Sequence, residues 1–262
     1  MKVALLLSGL QRNFQPFINN HIETIIKRYN CDLFVFTSNE NNNRYISEGK
    51  ISYKINDNFD NDISYFQEKY KEFLKDIYID NDNKLFEEFK KKNINIKEEN
   101  NNFTLNLISQ YFKIHSCLNL MEKYEKKNNF KYDIIFRMRL DGFTAKNYLE
   151  YNLNNFNFEN NCYMSKAIYG WKDDSCLIIS RKYSFLLEKF VFELIKYVNG
   201  ERICVEEELF KFISKNSLNI IFINNLICRV GTIQRGYCNI PFLKLKDFEN
   251  LKSLEYKIYW EE

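Results

Sequence analysis

The sequence predicts an α/β fold with a mostly parallel central sheet flanked by helices, organised as one domain over residues 1–262. Three observations predict it. Short, fully apolar runs alternate with amphipathic helical stretches, as they do when strands are buried on both faces. The first of these pieces read strand, loop, helix, strand, a βαβ unit that demands a parallel pair. Only 2 Pro and 7 Gly occur in 262 residues, too few for a many-turned all-β protein.

Val3 to Ser8 is the first apolar run, ended by Gly9. Phe17, Ile18, Ile22, Ile25, Ile26 and Tyr29 then recur at helical spacing, with Pro16 at a position that suits a first turn. Cys31 to Thr37 is the second strand. Residues 39–102 are rich in Asn, Asp, Lys and Glu, and read as a polar, inserted or mobile segment with helices at Tyr65–Tyr78 and Lys84–Lys92. Leu105 to Lys127 is a strong helix whose stripe is Tyr111, Ile114, Leu118, Met121 and Glu125. Tyr132 to Gly142 begins as a buried strand and runs out into charge. Cys162–Lys166 and Ser175–Ser180 are strands, with a loop over Tyr169–Asp174 between them. Helices follow at Tyr183–Val198 and Val205–Ser214, then short strands at Leu218–Ile223 and Leu226–Val230.

Charge and cysteine content exclude several classes. The 38 basic and 35 acidic residues give +3 overall, and the lysine runs sit among Glu and Asn, so no basic face for nucleic acid is expected. The 7 cysteines show no CxxC pair, which argues against a zinc site or a disulfide framework and suits a reducing, cytoplasmic setting. The apolar start at Met1–Leu7 stops short of a signal-peptide core, and no run is long enough to span a membrane; peripheral membrane association stays open.

In open α/β sheets ligands bind outside the carboxyl ends of the strands, so polar residues just after strands are the candidates. The first cluster is Ser8-Gly9-Leu10-Gln11-Arg12, where backbone N–H groups and Arg12 could hold a diphosphate. The second is Arg137, Arg139 and Asp141, which share one side of an extended strand. Two arginines and an aspartate are costly to bury without partners. The third is Asp173-Asp174, adjacent carboxylates that could bind acceptor hydroxyls, serve as a base or reach a metal. The fourth is Glu206-Glu207-Glu208, whose helix-start position the macrodipole alone would favour. Trp171, in the same loop as Asp173-Asp174, is a candidate with an apolar aromatic face. His21 and His115 have no metal-like spacing and read as structural residues.

The order of these pieces matters more than any one. SGLQR after the first strand, YDIIFRMRLD after the long helix, WKDDSCLIIS and EEELF together resemble a glycosyltransferase-like family of bacterial surface-polysaccharide clusters and large DNA viruses. The resemblance implies a GT-A fold, a nucleotide-diphosphate sugar as donor and a glycan as acceptor. It implies Mn²⁺ or Mg²⁺ held by an Asp-x-Asp motif. Here that motif reads Arg139-Leu140-Asp141, so Asp141 alone would carry the metal and Arg139 would partly replace it. Ser8, Gly9, Arg12, Arg137 and Arg139 would then line the diphosphate. Asp174, Asp173 or Glu207 would take the acceptor proton. The competing expectation is a non-catalytic nucleotide-sugar or carbohydrate-binding module with a degenerate site. Absence of a Gly-rich fingerprint argues against other Rossmann-like enzymes.

Overall fold

The computed structural model describes residues 1–11, 14, 17–38, 45–48, 51–54, 62–80, 91, 102–144, 152–166, 172–197, 204–224 and 227–229. The chain opens with strand β1 (Val3–Leu10) and a helix α1 over residues 18–29. The middle of α1, His21–Ile26, is π-helical, with α-turns at Ile18–Asn20 and Lys27–Tyr29. Asn30 ends it at φ 50°, a left-handed position that Asn tolerates well. Strand β2 is Cys31–Ser38, and β3 (Tyr45–Glu48) and β4 (Ile51–Lys54) form a separate hairpin. Then come α2 (Ile63–Tyr70), β5 (Leu74–Asp80), the long α3 (Asn102–Asn128), β6 (Ile134–Arg139) and β7 (Gly142–Thr144). The remainder is β8 (Asn161–Lys166), β9 (Lys172–Ser180), α4 (Phe185–Leu194), α5 (Val205–Lys215), β10 (Asn219–Asn224) and β11 (Ile227–Arg229).

Seven strands form one sheet in the order β10-β8-β9-β6-β1-β2-β5. All pairs are parallel except those made by β9, which runs against both neighbours. Renumbered along the chain, the central strands read 3-2-1-4-6-5-7 from the β5 edge. With β7 and β11 paired as a small second sheet, this is the expected α/β arrangement, a mostly parallel central sheet flanked by helices.

Alternation along each strand separates two cores. Ala4, Leu6, Phe34, Phe36, Ile135 and Ile179 face α3, α4 and α5. Leu5, Leu7, Leu33, Val35, Phe136 and Ile178 face α1 and α2. The anticipated stripe of α3 is buried throughout, Glu125 included. Glu125 takes Arg181 in a two-oxygen ion pair, at 2.9 Å and 2.7 Å, and accepts the Tyr132 N–H at 2.9 Å. This joins α3, β6 and β9 at the end of the sheet away from the strand tips.

Two sequence expectations need correction. Residues 74–80 are an edge strand, not the end of a helix that began at Tyr65. Lys71 at φ 47° breaks the helix, and Ile77-Tyr78-Ile79 favour an extended backbone. The polar segment 39–102 thus supplies a strand of the central sheet. Asp173 and Asp174 belong to β9 rather than to a loop. The expected helix at Lys84–Lys92 lies outside the described residues, apart from Lys91.

Candidate functional site at the strand tips

The sheet changes winding direction between β1 and β6. Both strands end there on the same side, and their register sets Ser8 beside Arg139. Such switch points open a crevice outside the carboxyl ends. Gly9, the residue after Ser8, has φ +140°, a conformation that side-chain-bearing residues rarely adopt. The Ser8 hydroxyl is fully buried and has no hydrogen-bond partner among the described residues.

Arg139 points from β6 toward α3. It holds Asp141 through two parallel bonds, Nε to Oδ1 at 2.8 Å and Nη2 to Oδ2 at 2.9 Å. Its Nη1 donates to Gln110 Oε1 at 3.0 Å. Gln110 in turn donates from Nε2 to Asp174 Oδ2 at 2.6 Å, and the Tyr111 hydroxyl donates to the same oxygen at 2.8 Å. The amide orientation of Gln110 is fixed chemically: the carboxylate can only accept and the guanidinium can only donate. The chain Tyr111–Asp174–Gln110–Arg139–Asp141 is therefore one network across α3, β9 and β6.

Arg137, one strand pleat below, is almost wholly buried and is the largest side chain so enclosed among the described residues. Its Nη1 donates to the Asp174 backbone carbonyl. Its Nε and Nη2 have no partner among the described residues. Burial pulls the Arg137 guanidinium below its ordinary range, and the Asp174 charge works against that fall. Burial first, then Asp174, lifts the Tyr111 phenol well above its usual value, so it stays a donor.

Asp174 reaches α3 because β9 bulges. Across β8, Met164 faces Leu177 but the next residue, Ser165, faces Asp173. The residues skipped in that step interrupt the alternation.

Asp141 is also held from behind. His21 bonds the Gly142 carbonyl through Nε2 at 2.6 Å and the Tyr70 hydroxyl through Nδ1 at 2.8 Å. A buried neutral ring whose Nε2 donates and whose Nδ1 accepts satisfies both. Burial lowers the His21 pKa to about 4, against smaller raising effects of the Gly142 bond and of Asp141. The structural reading of His21 fits this geometry.

Of the residues singled out from sequence, the fold brings Ser8, Gly9, Arg137, Arg139, Asp141 and Asp174 together. Asp173 lies in β9, but its side chain is outside the description, as are Arg12 and Trp171. Glu207 is exposed on the first turn of α5. Its neighbour Glu206 is half-buried, and its charge contributes to raising the Tyr111 phenol. Sequence reasoning missed Gln110 and Tyr111 as site residues, while Glu206 belongs to the acidic cluster it did single out. The available signal was Gln110 itself, a polar residue four before Ile114 in line with the buried stripe.

The described residues do not fit the divalent cation implied by the resemblance. Both Asp141 oxygens are taken by a guanidinium. Among the described residues, no group of three or more His, Cys, Asp or Glu converges to hold a metal.

A family model described as "Domain of unknown function (DUF7796)" matches residues 1–174. No curated protein matches the chain. Solved structures with a similar fold include a glycosyltransferase involved in glycosylation of the major capsid of PBCV-1, at 8% identity and a TM-score of 0.44, covering 88% of this chain and 94% of that one. A Drosophila β-1,4-galactosyltransferase 7 mutant, in complex with manganese, UDP-Gal and xylobiose, gives 9% identity and a TM-score of 0.40, covering 100% and 82%. The inositol-1-phosphate CTP transferase of T. maritima gives 12% and 0.45, covering 98% and 96%. Identities and scores this low record a resemblance of fold and carry nothing about activity. Among the described residues, no helix is long and apolar enough to cross a membrane.

Proposed function

This chain belongs to the DUF7796 family, and we propose that it is a glycosyltransferase that moves a sugar from a nucleotide-diphosphate donor to a carbohydrate acceptor. The observation that carries the reading is the pairing of Ser8 with Arg139 at the switch point between β1 and β6. A crevice there, with a buried hydroxyl, a glycine-permitted backbone and a fixed guanidinium, suits a diphosphate. The YDIIFRMRLD segment supports it further. Its first half anchors the strand, with the Tyr132 hydroxyl donating to Asp32 at 2.7 Å, and its last three residues reach the crevice.

In this reading Ser8, the Gly9 backbone, Arg12 and Arg139 receive the diphosphate. Breaking the anomeric bond puts negative charge on the departing nucleoside diphosphate. A guanidinium oriented in advance lowers that barrier without reorganising during the reaction. Trp171 stacks on a sugar ring. Asp174 is reassigned: enclosed by Tyr111, Gln110 and Arg137, it orients the arginines instead of meeting an acceptor hydroxyl. Proton acceptance falls to Asp173 or to the first turn of α5, where Glu206 and Glu207 stand.

Release of nucleoside diphosphate from a panel of UDP-, GDP-, CDP- and dTDP-sugars, with mono- and disaccharide acceptors, tests the reading. One donor should be consumed, with turnover lost in Arg139→Gln. Neither release nor binding of any donor would remove the proposal. Binding without release would favour the second reading, a nucleotide-sugar-binding module. The commitment of both Asp141 and Asp174 to other residues is the observation behind that alternative.

A further inference from the structure

Resting on the donor-site reading above, we infer that this site binds its nucleoside diphosphate without a divalent cation, with Arg139 permanently occupying the cation's place. A GT-A site that uses a metal needs carboxylate oxygens able to turn toward it. Asp141 accepts from the Arg139 fork at both oxygens, at 2.8 Å and 2.9 Å, and its side chain is only 5% exposed. A bidentate guanidinium–carboxylate pair is the strongest and most directional form of this contact.

The guanidinium is also held from its far side. Gln110 accepts from Nη1, and Gln110 cannot swing away, because its own amide is anchored on Asp174. Asp174 is fixed by Tyr111 and by the Arg137 contact to its carbonyl. A metal ion on Asp141 would have to expel Arg139 from this cradle. It would then lie beside the displaced positive charge in a nearly solvent-free position, where like charges repel most strongly. Arginine at the first position of the motif therefore does more than delete a ligand. It engages both oxygens of the remaining one and sets a fixed guanidinium at the strand position that pairs in register with Ser8.

The test uses the full chain. Thermal shift and calorimetry with UDP, GDP, CDP and dTDP are run in EDTA and in Mn²⁺, with Mn²⁺ alone as a further titrant. The expected result is one diphosphate that binds equally well in EDTA and Mn²⁺, and no Mn²⁺ binding by itself. Arg139→Gln should weaken that diphosphate roughly tenfold or more in both conditions. Arg139→Asp, which restores two carboxylates, should lose binding in EDTA and regain it in Mn²⁺. If either variant fails to fold, the wild-type comparison and Asp141→Asn still decide. Diphosphate binding seen only in Mn²⁺ and abolished by Asp141→Asn would overturn the inference while leaving the donor reading intact. No diphosphate binding in either buffer would overturn both.

Discussion

Gln110 accepts a hydrogen bond from Arg139 at 3.0 Å, so a helix residue sets the direction of a strand residue's charge. Its other end grips Asp174 at 2.6 Å. Replacing Gln110 by Ala removes both contacts and leaves Arg139 with Asp141. Diphosphate binding should weaken by roughly tenfold, the scale of one hydrogen bond to a charged group, about 1.5 kcal/mol. The melting temperature should move far less than in the Asp174 variants below. Calorimetry with the preferred nucleotide reads the first effect and a melting curve the second. Unchanged affinity would remove Gln110 from the site.

Asp174 separates a positioning role from a role as base. An exposed catalytic base can be neutralised with little change in stability. Asp174 is enclosed and shares its surroundings with the buried Arg137 guanidinium. Asp174→Asn leaves that cation without its compensating charge, which costs about 3–5 kcal/mol when one member of a buried pair is lost. Urea unfolding of the variant should show a loss on this scale. A variant as stable as wild type but inactive would return Asp174 to the catalytic base assigned from sequence.

Much of this was readable beforehand, for identifiable reasons. The strands β1, β2 and β6 are continuous apolar runs, and burial on both faces leaves no other assignment. Arg137 and Arg139 stood out because charge inside such a run needs an explanation. What escaped was contact across elements. Nothing local tells Gln110 that Asp174 lies 64 residues ahead. The bulge that turns Asp174 toward α3 arises from pairing with β8, which the sequence of β9 alone does not encode. Residues 74–80 were misread because their polar neighbours masked an edge strand, where alternation is weak and one side is open.

Gly9 offers a backbone test. An added Cβ would make one ordinary van der Waals contact among the described residues, with the Leu140 nitrogen at 4.0 Å. The penalty for Gly9→Ala is therefore conformational, from φ +140°, and should be about 1–3 kcal/mol. If the backbone shifts to relieve it, the Ser8 end of the crevice shifts too, and diphosphate affinity should fall along with stability. Denaturant melts and nucleotide titrations on the same preparation distinguish strain borne in place from strain relieved by movement.

His21 predicts the acid limb of stability. Its folded pKa is about 4 against an ordinary 6.5, because burial disfavours the charged ring. The unfolded chain therefore takes up a proton at a pH where the folded chain does not. Stability is unaffected by His21 above pH 6.5. It declines as pH falls from 6.5 toward 4, and levels off below the folded pKa. The full drop is about 3 kcal/mol at 1.36 kcal/mol per pH unit. Since the ring fixes Gly142 beside Asp141 and bridges to Tyr70, acid should also loosen the crevice before global unfolding. The comparison to make is His21→Gln, which keeps a donor and an acceptor but cannot titrate. It should be less stable at neutral pH through imperfect packing, yet show a flatter stability profile between pH 6.5 and 4. A variant profile as steep as wild type would mean that carboxylates, not His21, set the acid limb.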